Sequence, residues 1–135
     1  MNKTARSAVV AVGIMLAGTV TGPVWAGGQN GSCESGPEVC FYFNSAGQGS
    51  MSDFTNAKAN LSGYVFLTSG AGQGQAVKNN SASAKLRSGF GGGACVYYNA
   101  NFQGASDYIP ANAGAVNLQK TYNENASFQY SNGVC

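Results

Sequence analysis

The chain has 135 residues, enough for one domain, with 44% hydrophobic and only 9% charged residues and a formal net charge of +2. It contains no histidine, which removes Ser–His and Cys–His nucleophile activation. So few charges also exclude a nucleic-acid interface, where binding rests on many phosphate contacts.

The first element is a leader. Lys3 and Arg6 precede an apolar run from Ala8 to Val20, and Val24 and Ala26 stand in the small-x-small arrangement that a signal peptidase reads. Residues 1–26 are therefore predicted to be a secretory signal peptide. A run of about 13 apolar residues is too short to span a bilayer. The mature domain is expected over residues 27–135, secreted, extracellular and free of membrane. Without Lys3 and Arg6, five basic residues (Lys58, Lys78, Lys85, Arg87, Lys120) face five acidic ones (Glu34, Glu38, Asp53, Asp107, Glu124). The mature protein is then formally neutral, and the surplus positive charge belongs to the leader.

Cys33, Cys40, Cys95 and Cys135 all lie beyond the leader. An even count in a small secreted domain implies disulfides, and four cysteines allow three pairings. The reading favours Cys33–Cys40, which closes the short loop "CESGPEVC", and Cys95–Cys135, which ties a later strand to the chain end.

Short aromatic and β-branched runs follow, separated by Gly, Asn and Ser clusters, and none has helical periodicity. That is an all-β signature. Strands are predicted at Val39–Phe43, Gly63–Thr68, Ala94–Tyr98, Asp107–Pro110 and Ser127–Ser131, with weaker ones at Ser83–Arg87 and Ala115–Gln119. The glycine-rich stretch Ser88–Ala94 connects two halves that repeat. "CVYYNANFQGASDY" (Cys95–Tyr108) copies "CFYFNSAGQGSMSDF" (Cys40–Phe54), and "NENASFQY" (Asn123–Tyr130) copies "NNSASAKL" (Asn79–Leu86). The repeats run over about residues 38–88 and 94–135. The first half is the longer, and its surplus is expected in the loop near Gly70–Gln75. Four strands per half, twice, predict two Greek keys packed as a β-sandwich.

Within each repeat one pattern sets the geometry. Tyr97, Phe102 and Gly104 read as aromatic-x4-aromatic-x-Gly. A hairpin folded back on its sheet needs Gly where φ is positive, and the aromatics cover it. The first half keeps Tyr42 and Gly49 but has Gly47 at the covering position, so its hairpin is predicted to be the looser one. Asp53 and Asp107 are equivalent and are expected as turn or cap residues rather than as a glycosidase pair. No catalytic residues are expected. Most of the seven Tyr and seven Phe must build the core; Phe43 and Tyr98 alternate with Tyr42 and Tyr97 and could face outward.

The aromatic-x4-aromatic-x-Gly pattern resembles the Greek-key signature of βγ-crystallins. The Cys33–Cys40 loop leading into "CFYFNSAGQG", then "GYVFLTSGAGQGQAVKNNSASAKL", "VYYNANFQGASDY" and "YNENASF", resembles the peptidase inhibitor family I36 of actinobacteria over Cys33–Cys135. The resemblance implies a βγ-crystallin-like fold and steric inhibition of an extracellular peptidase, with metallopeptidases as the known target class. It implies a rigid inhibitory loop, for which Cys33–Cys40, Gly70–Gln75 and Gly89–Gly93 are candidates; only the first is closed by a short disulfide. A monomer and no obligatory cofactor are expected. Calcium-binding βγ-crystallins carry Asn/Asp-Asn/Asp-x-x-Ser/Thr-Ser. "NNSASA" and "NENASF" resemble that loop, with Asn79, Asn80, Ser83, Asn123, Glu124 and Ser127 as candidate ligands. One carboxylate between two loops implies weak calcium binding at most, and Asn and Ser also close tight turns by themselves. Alternative functions are a calcium-modulated or cell-surface binding module and a killer-toxin-like antimicrobial protein.

Overall fold

The computed structural model describes residues 29–34, 36–89 and 91–135. The expected signal peptide lies outside the described residues. Among the described residues seven strands form: β1 (Glu38–Tyr42), β2 (Met51–Phe54), β3 (Ser83–Arg87), β4 (Gly93–Asn99), β5 (Gln103–Pro110), β6 (Val116–Asn117) and β7 (Ser127–Ser131), with one 3-10 turn at Ser45–Gly47. They build two antiparallel sheets, ordered β2-β1-β3-β6 and β5-β4-β7. The fold is an all-β sandwich of two Greek keys.

Alternation along the strands makes the core. In β1, Val39 and Phe41 share one face with their cross-strand partners Phe54, Leu86 and Ala84. From the other sheet, Ala94, Val96, Ile109 and Phe128 meet them, all buried. Three rings form the centre: Phe41 lies 5.9 Å from Phe54 and 5.5 Å from Phe128, and Phe54 lies 5.8 Å from Phe128. Edge-on and tilted contacts of this kind add about 0.5–1.5 kcal/mol each beyond area burial.

The halves are interlocked. β6 comes from the second repeat but pairs with β3 of the first, at Ser83↔Asn117 and Ala84↔Val116. Reciprocally, Lys58 of the first repeat bridges Phe128 in β7, with both N–H···O bonds at 3.0 Å. The two Asn-rich loops also exchange bonds: Asn79 N–H donates to the Asn125 carbonyl at 2.9 Å, and Asn123 N–H to the Ser81 carbonyl at 3.0 Å. Asn79 and Asn123 are both left-handed, with φ of 63° and 53°, which asparagine tolerates better than most residues.

Each folded hairpin is fastened by one serine. Ser83 Oγ donates to the Asn44 carbonyl at 2.7 Å and accepts from Gly47 N–H at 2.9 Å. Ser127 Oγ donates to the Asn99 carbonyl at 2.6 Å and accepts from Phe102 N–H at 3.0 Å. Gly49 and Gly104 have φ of 78° and 84°, and a Cβ there would lie 3.1 and 2.7 Å from the Asn44 and Asn99 amides. In the second hairpin Tyr97 and Phe102 rings stack edge-on at 6.0 Å. The first lacks that pair, yet its bonds give no sign of looseness. Ala115 closes against Gly47, and Asn117 Oδ1 accepts Ala46 N–H at 2.7 Å.

Several strands differ from the sequence expectation. Gly63–Thr68 is not a strand. It makes a single bridge, Val65↔Ala76, and its Leu67 and Thr68 amides donate to the Met51 carbonyl. Tertiary packing overrides its β-propensity, because Leu61, Phe66 and Val77 are buried from an irregular segment laid along the edge of β2. β2 was not among the predicted strands; it forms because the hairpin returns it against β1. β5 reaches back to Gln103, four residues beyond the predicted Asp107 start, through Gly and Ala that carry little propensity. Ala115–Gln119 contributes only Val116–Asn117, whereas Ser83–Arg87 is an inner strand.

Replacing Ser127 by Ala should destabilise the domain by about 1–2 kcal/mol, since it removes two part-buried hydrogen bonds, to the Asn99 carbonyl and from the Phe102 amide. The exposed Ser62→Ala should change stability by no more than about 0.5 kcal/mol. Urea unfolding followed by tyrosine fluorescence measures both.

Candidate functional site: exposed loops on a stapled sandwich

Two disulfides are present. Cys33 and Cys40 are bonded with Cα atoms 6.0 Å apart, and Cys95 and Cys135 with Cα atoms 5.5 Å apart. The first holds the segment before β1; the second ties the centre of β4 to the chain end. Among the described residues, the one group of metal-type side chains is Cys33, Glu38 and Cys40. Both cysteines there are oxidised, so it offers no thiolate.

Of the six candidate calcium ligands, two have their hydroxyls engaged elsewhere. Ser83 and Ser127 are buried and their hydroxyls fasten the hairpins. Asn80 Nδ2 donates to the Ala76 carbonyl at 2.9 Å and to the Lys78 carbonyl at 3.3 Å. Asn79 and Asn123 serve as left-handed turn residues, leaving Glu124 as the single exposed carboxylate. A hard cation wants six to eight oxygens, and with the two serine hydroxyls engaged the loops keep one carboxylate and the asparagine side-chain oxygens. Asn125, which the motif reading passed over, is the residue that joins the loops. Buried, it accepts from Ser81 N–H at 3.0 Å and donates to the Val77 carbonyl at 3.0 Å.

The equivalent aspartates are backbone caps. Asp53 accepts from Asn30 and Gly31 N–H at 3.1 and 2.8 Å. Asp107 accepts from the Gln119, Lys120 and Thr121 amides and from the Thr121 hydroxyl. Phe43 is half-buried, edge-on to Phe66 at 5.7 Å, so it pairs with no outward Tyr98.

Of the candidate loops, Gly70–Gln75 is the best braced. Ser50 N–H donates to the Ala71 carbonyl, Gly74 N–H to the Phe66 carbonyl, Phe66 N–H to the Gln75 carbonyl and Gln75 N–H to the Gly72 carbonyl, each at 2.9 Å. Gly72 has φ of 87° and rests on the Phe43 ring, where a Cβ would come within 2.1 Å. Despite this bracing, Gly70, Ala71 and Gln73–Gln75 are exposed. The Cys33–Cys40 and Gly89–Gly93 loops each contain one residue outside the described set.

Sequence reasoning missed Glu38. It is buried beside the Cys33–Cys40 disulfide, and its Oε2 accepts Glu34 N–H at 2.6 Å. Burial pushes its pKa up to about 7, aided by a hydrogen bond with Asp53 and the charges of Asp53 and Glu34. The Tyr130 hydroxyl, 2.8 Å from the carbonyls of Pro37 and Thr55, is pushed up to about 12 by burial and then by Glu38. The available signal was an acidic residue directly before a predicted strand, within the short Cys33–Cys40 loop.

These features define a small, disulfide-stapled Greek-key sandwich that presents rigid exposed loops and assembles no nucleophile–base pair among its described residues. The chain belongs to the peptidase inhibitor family I36, whose family model matches residues 26–109. Among solved structures it is similar to a βγ-crystallin from an archaeon, with 18% identity and a TM-score of 0.46 over 71% of this chain and 99% of that one. It is also similar to the fifth crystallin domain of the non-lens protein Absent in melanoma 1, with 14% identity and a TM-score of 0.41 over 77% of this chain and 97% of that one. No curated protein matches the chain.

Two outcomes follow for solution behaviour. Unfolded Glu38 titrates at 4.5 and folded Glu38 at about 7, so between those values the native state holds the proton that the unfolded state has lost. Stability should therefore fall as pH rises through that window, by up to about 3 kcal/mol, and Glu38→Gln should flatten the profile in thermal melts. Millimolar calcium or a chelator should leave the melting temperature unchanged.

Proposed function

We propose that the protein is a secreted, monomeric inhibitor of extracellular peptidases, metallopeptidases first. It acts by filling the active-site cleft with the Gly70–Gln75 loop. Family membership supports the inhibitor class, and the two disulfides suit an oxidising, extracellular setting. The observation that carries the choice of loop is its bracing. Main-chain bonds to Ser50 and Phe66, together with the Phe43 ring, hold an exposed loop in one conformation. A loop already ordered loses little entropy on docking, and that favours affinity. No chemistry by the inhibitor is needed; exclusion of substrate suffices.

The test is titration of residues 27–135, with disulfides formed, against a thermolysin-like metallopeptidase, a subtilisin-like peptidase and a trypsin-like one. Stoichiometric inhibition of the metallopeptidase is expected. Gly72→Ala, which drives a Cβ into Phe43, and Ala71→Arg, which adds bulk at the exposed tip without touching the fold, should each weaken inhibition by about tenfold or more. Gly91→Arg, where a Cβ meets nothing within 4 Å, should leave it unchanged. The reverse pattern would move the contact to Gly89–Gly93. No inhibition of any class by the folded protein would refute the reading.

A further inference from the structure

Lys85 and Arg87 stand two residues apart on β3 and so share its outer side. Together with Asn112, Ala113 and Gly114 they line a cavity of about 340 Å³. Its wall is fixed. Asn112 has φ of 57°, its N–H donates to the Leu86 carbonyl at 2.8 Å, and its side chain bonds both the N–H and the carbonyl of Ser88, at 3.1 and 2.6 Å. Ala111 bridges Leu86 directly and donates to the Gly92 carbonyl at 2.9 Å. The turn is thus clamped to the end of β3.

Neither cation has an acidic partner among the described residues, and all five acids of the mature chain are among those residues. Glu38 is the cross-strand neighbour of Arg87, where a salt bridge would be the ordinary outcome. Its carboxylate turns instead to Glu34 N–H. Asp53 and Asp107 cap backbone elsewhere. The amides of Ala113 and Gly114, on the wall, donate to no acceptor among the described residues. Two cations and two open amides thus border one concavity, which no acidic side chain lines.

We infer that this cavity is a binding site for a phosphate-type tetrahedral oxyanion, held by the Arg87 fork, the Lys85 ammonium and the Ala113–Gly114 turn. A planar guanidinium matches two oxygens of such an anion, and an ammonium adds a point charge. Successive main-chain N–H groups in a turn supply the complementary concave donor surface. The site lies on β3 and the turn after β5, apart from the Gly70–Gln75 loop, and does not depend on peptidase inhibition.

The test is amide chemical-shift titration of the folded protein with sodium phosphate, against sodium chloride at matched ionic strength. Saturating shifts confined to Lys85–Ser88 and Asn112–Gly114 are expected. Arg87→Gln should weaken binding about tenfold or more, Arg87→Lys less, and Lys120→Gln not at all. A parallel titration with O-phosphoserine separates the sources. Tighter binding than inorganic phosphate marks a monoester ligand, and equal or weaker binding marks the free ion; each supports the site. Shifts that never saturate, or that touch all five cations alike, would overturn it, as would a Lys85→Gln/Arg87→Gln protein that titrates like the native one.

Discussion

Neither half of this chain can bury its own aromatic face. Phe41 and Phe54 come from the first repeat and Phe128 from the second, and the three rings touch one another at the centre of the sandwich. The strand exchange makes this compulsory. β6 completes the sheet of the first repeat, and Lys58 closes the open side of β7 in the second. Every other feature follows from that mutual dependence. The asparagine loops lie against each other because the exchanged segments meet there, and the two serines that fasten the hairpins sit on the strands those segments flank. Small β domains have modest cores. Interlocking lets a short chain act as one cooperative unit, and the two disulfides reinforce its ends.

The repeats are equivalent in plan and unequal in use. The extra residues of the first repeat cover the edge of β2 through Leu67, Thr68 and Ala71 and then emerge as the Gly70–Gln75 loop. Covering a sheet edge is a common defence against unwanted strand pairing. Here the same segment also carries the exposed, braced Gly70–Gln75 loop. Hydrogen bonds and an aromatic rest supply the rigidity that a short disulfide would otherwise provide. Charge is distributed with similar economy: three of five acids serve the main chain, while Lys58 rests over the Tyr64 ring and Lys78 bonds Asn60.

The all-β class, the repeat and the Greek-key pairing were legible because alternation and glycine position are local signals. Tyr97, Phe102 and Gly104 announced a folded hairpin by spacing alone, and the matching Ser83 and Ser127 lay in plain view within the copied Asn-rich stretches. The same serines also fit a calcium loop by sequence. Only the hydrogen bonds to Asn44 and Asn99 show where the hydroxyls go. Gly63–Thr68 looked like a strand because aromatic and β-branched residues favour burial, and burial is what they achieve without a ladder. β2 and the first half of β5 were obscure for the opposite reason: Met, Ser, Gly and Ala carry little preference, and a partner strand imposes their conformation. The Lys85–Arg87 cavity was half legible, since two cations at a spacing of two on a strand must share a face. The turn that makes it concave comes from a distant part of the chain.

The interlock also has a consequence for how the chain reaches its native state. Lys58 finds its partner Phe128 only after most of the chain has been made, and Cys95 finds Cys135 later still. The first repeat therefore has no finished sheet to form early, and closure of long loops must precede the contacts that reward it. Such a chain stays open until its late segments arrive and then condenses as a whole. Its folding is therefore expected to be a single late condensation rather than the successive closure of two halves.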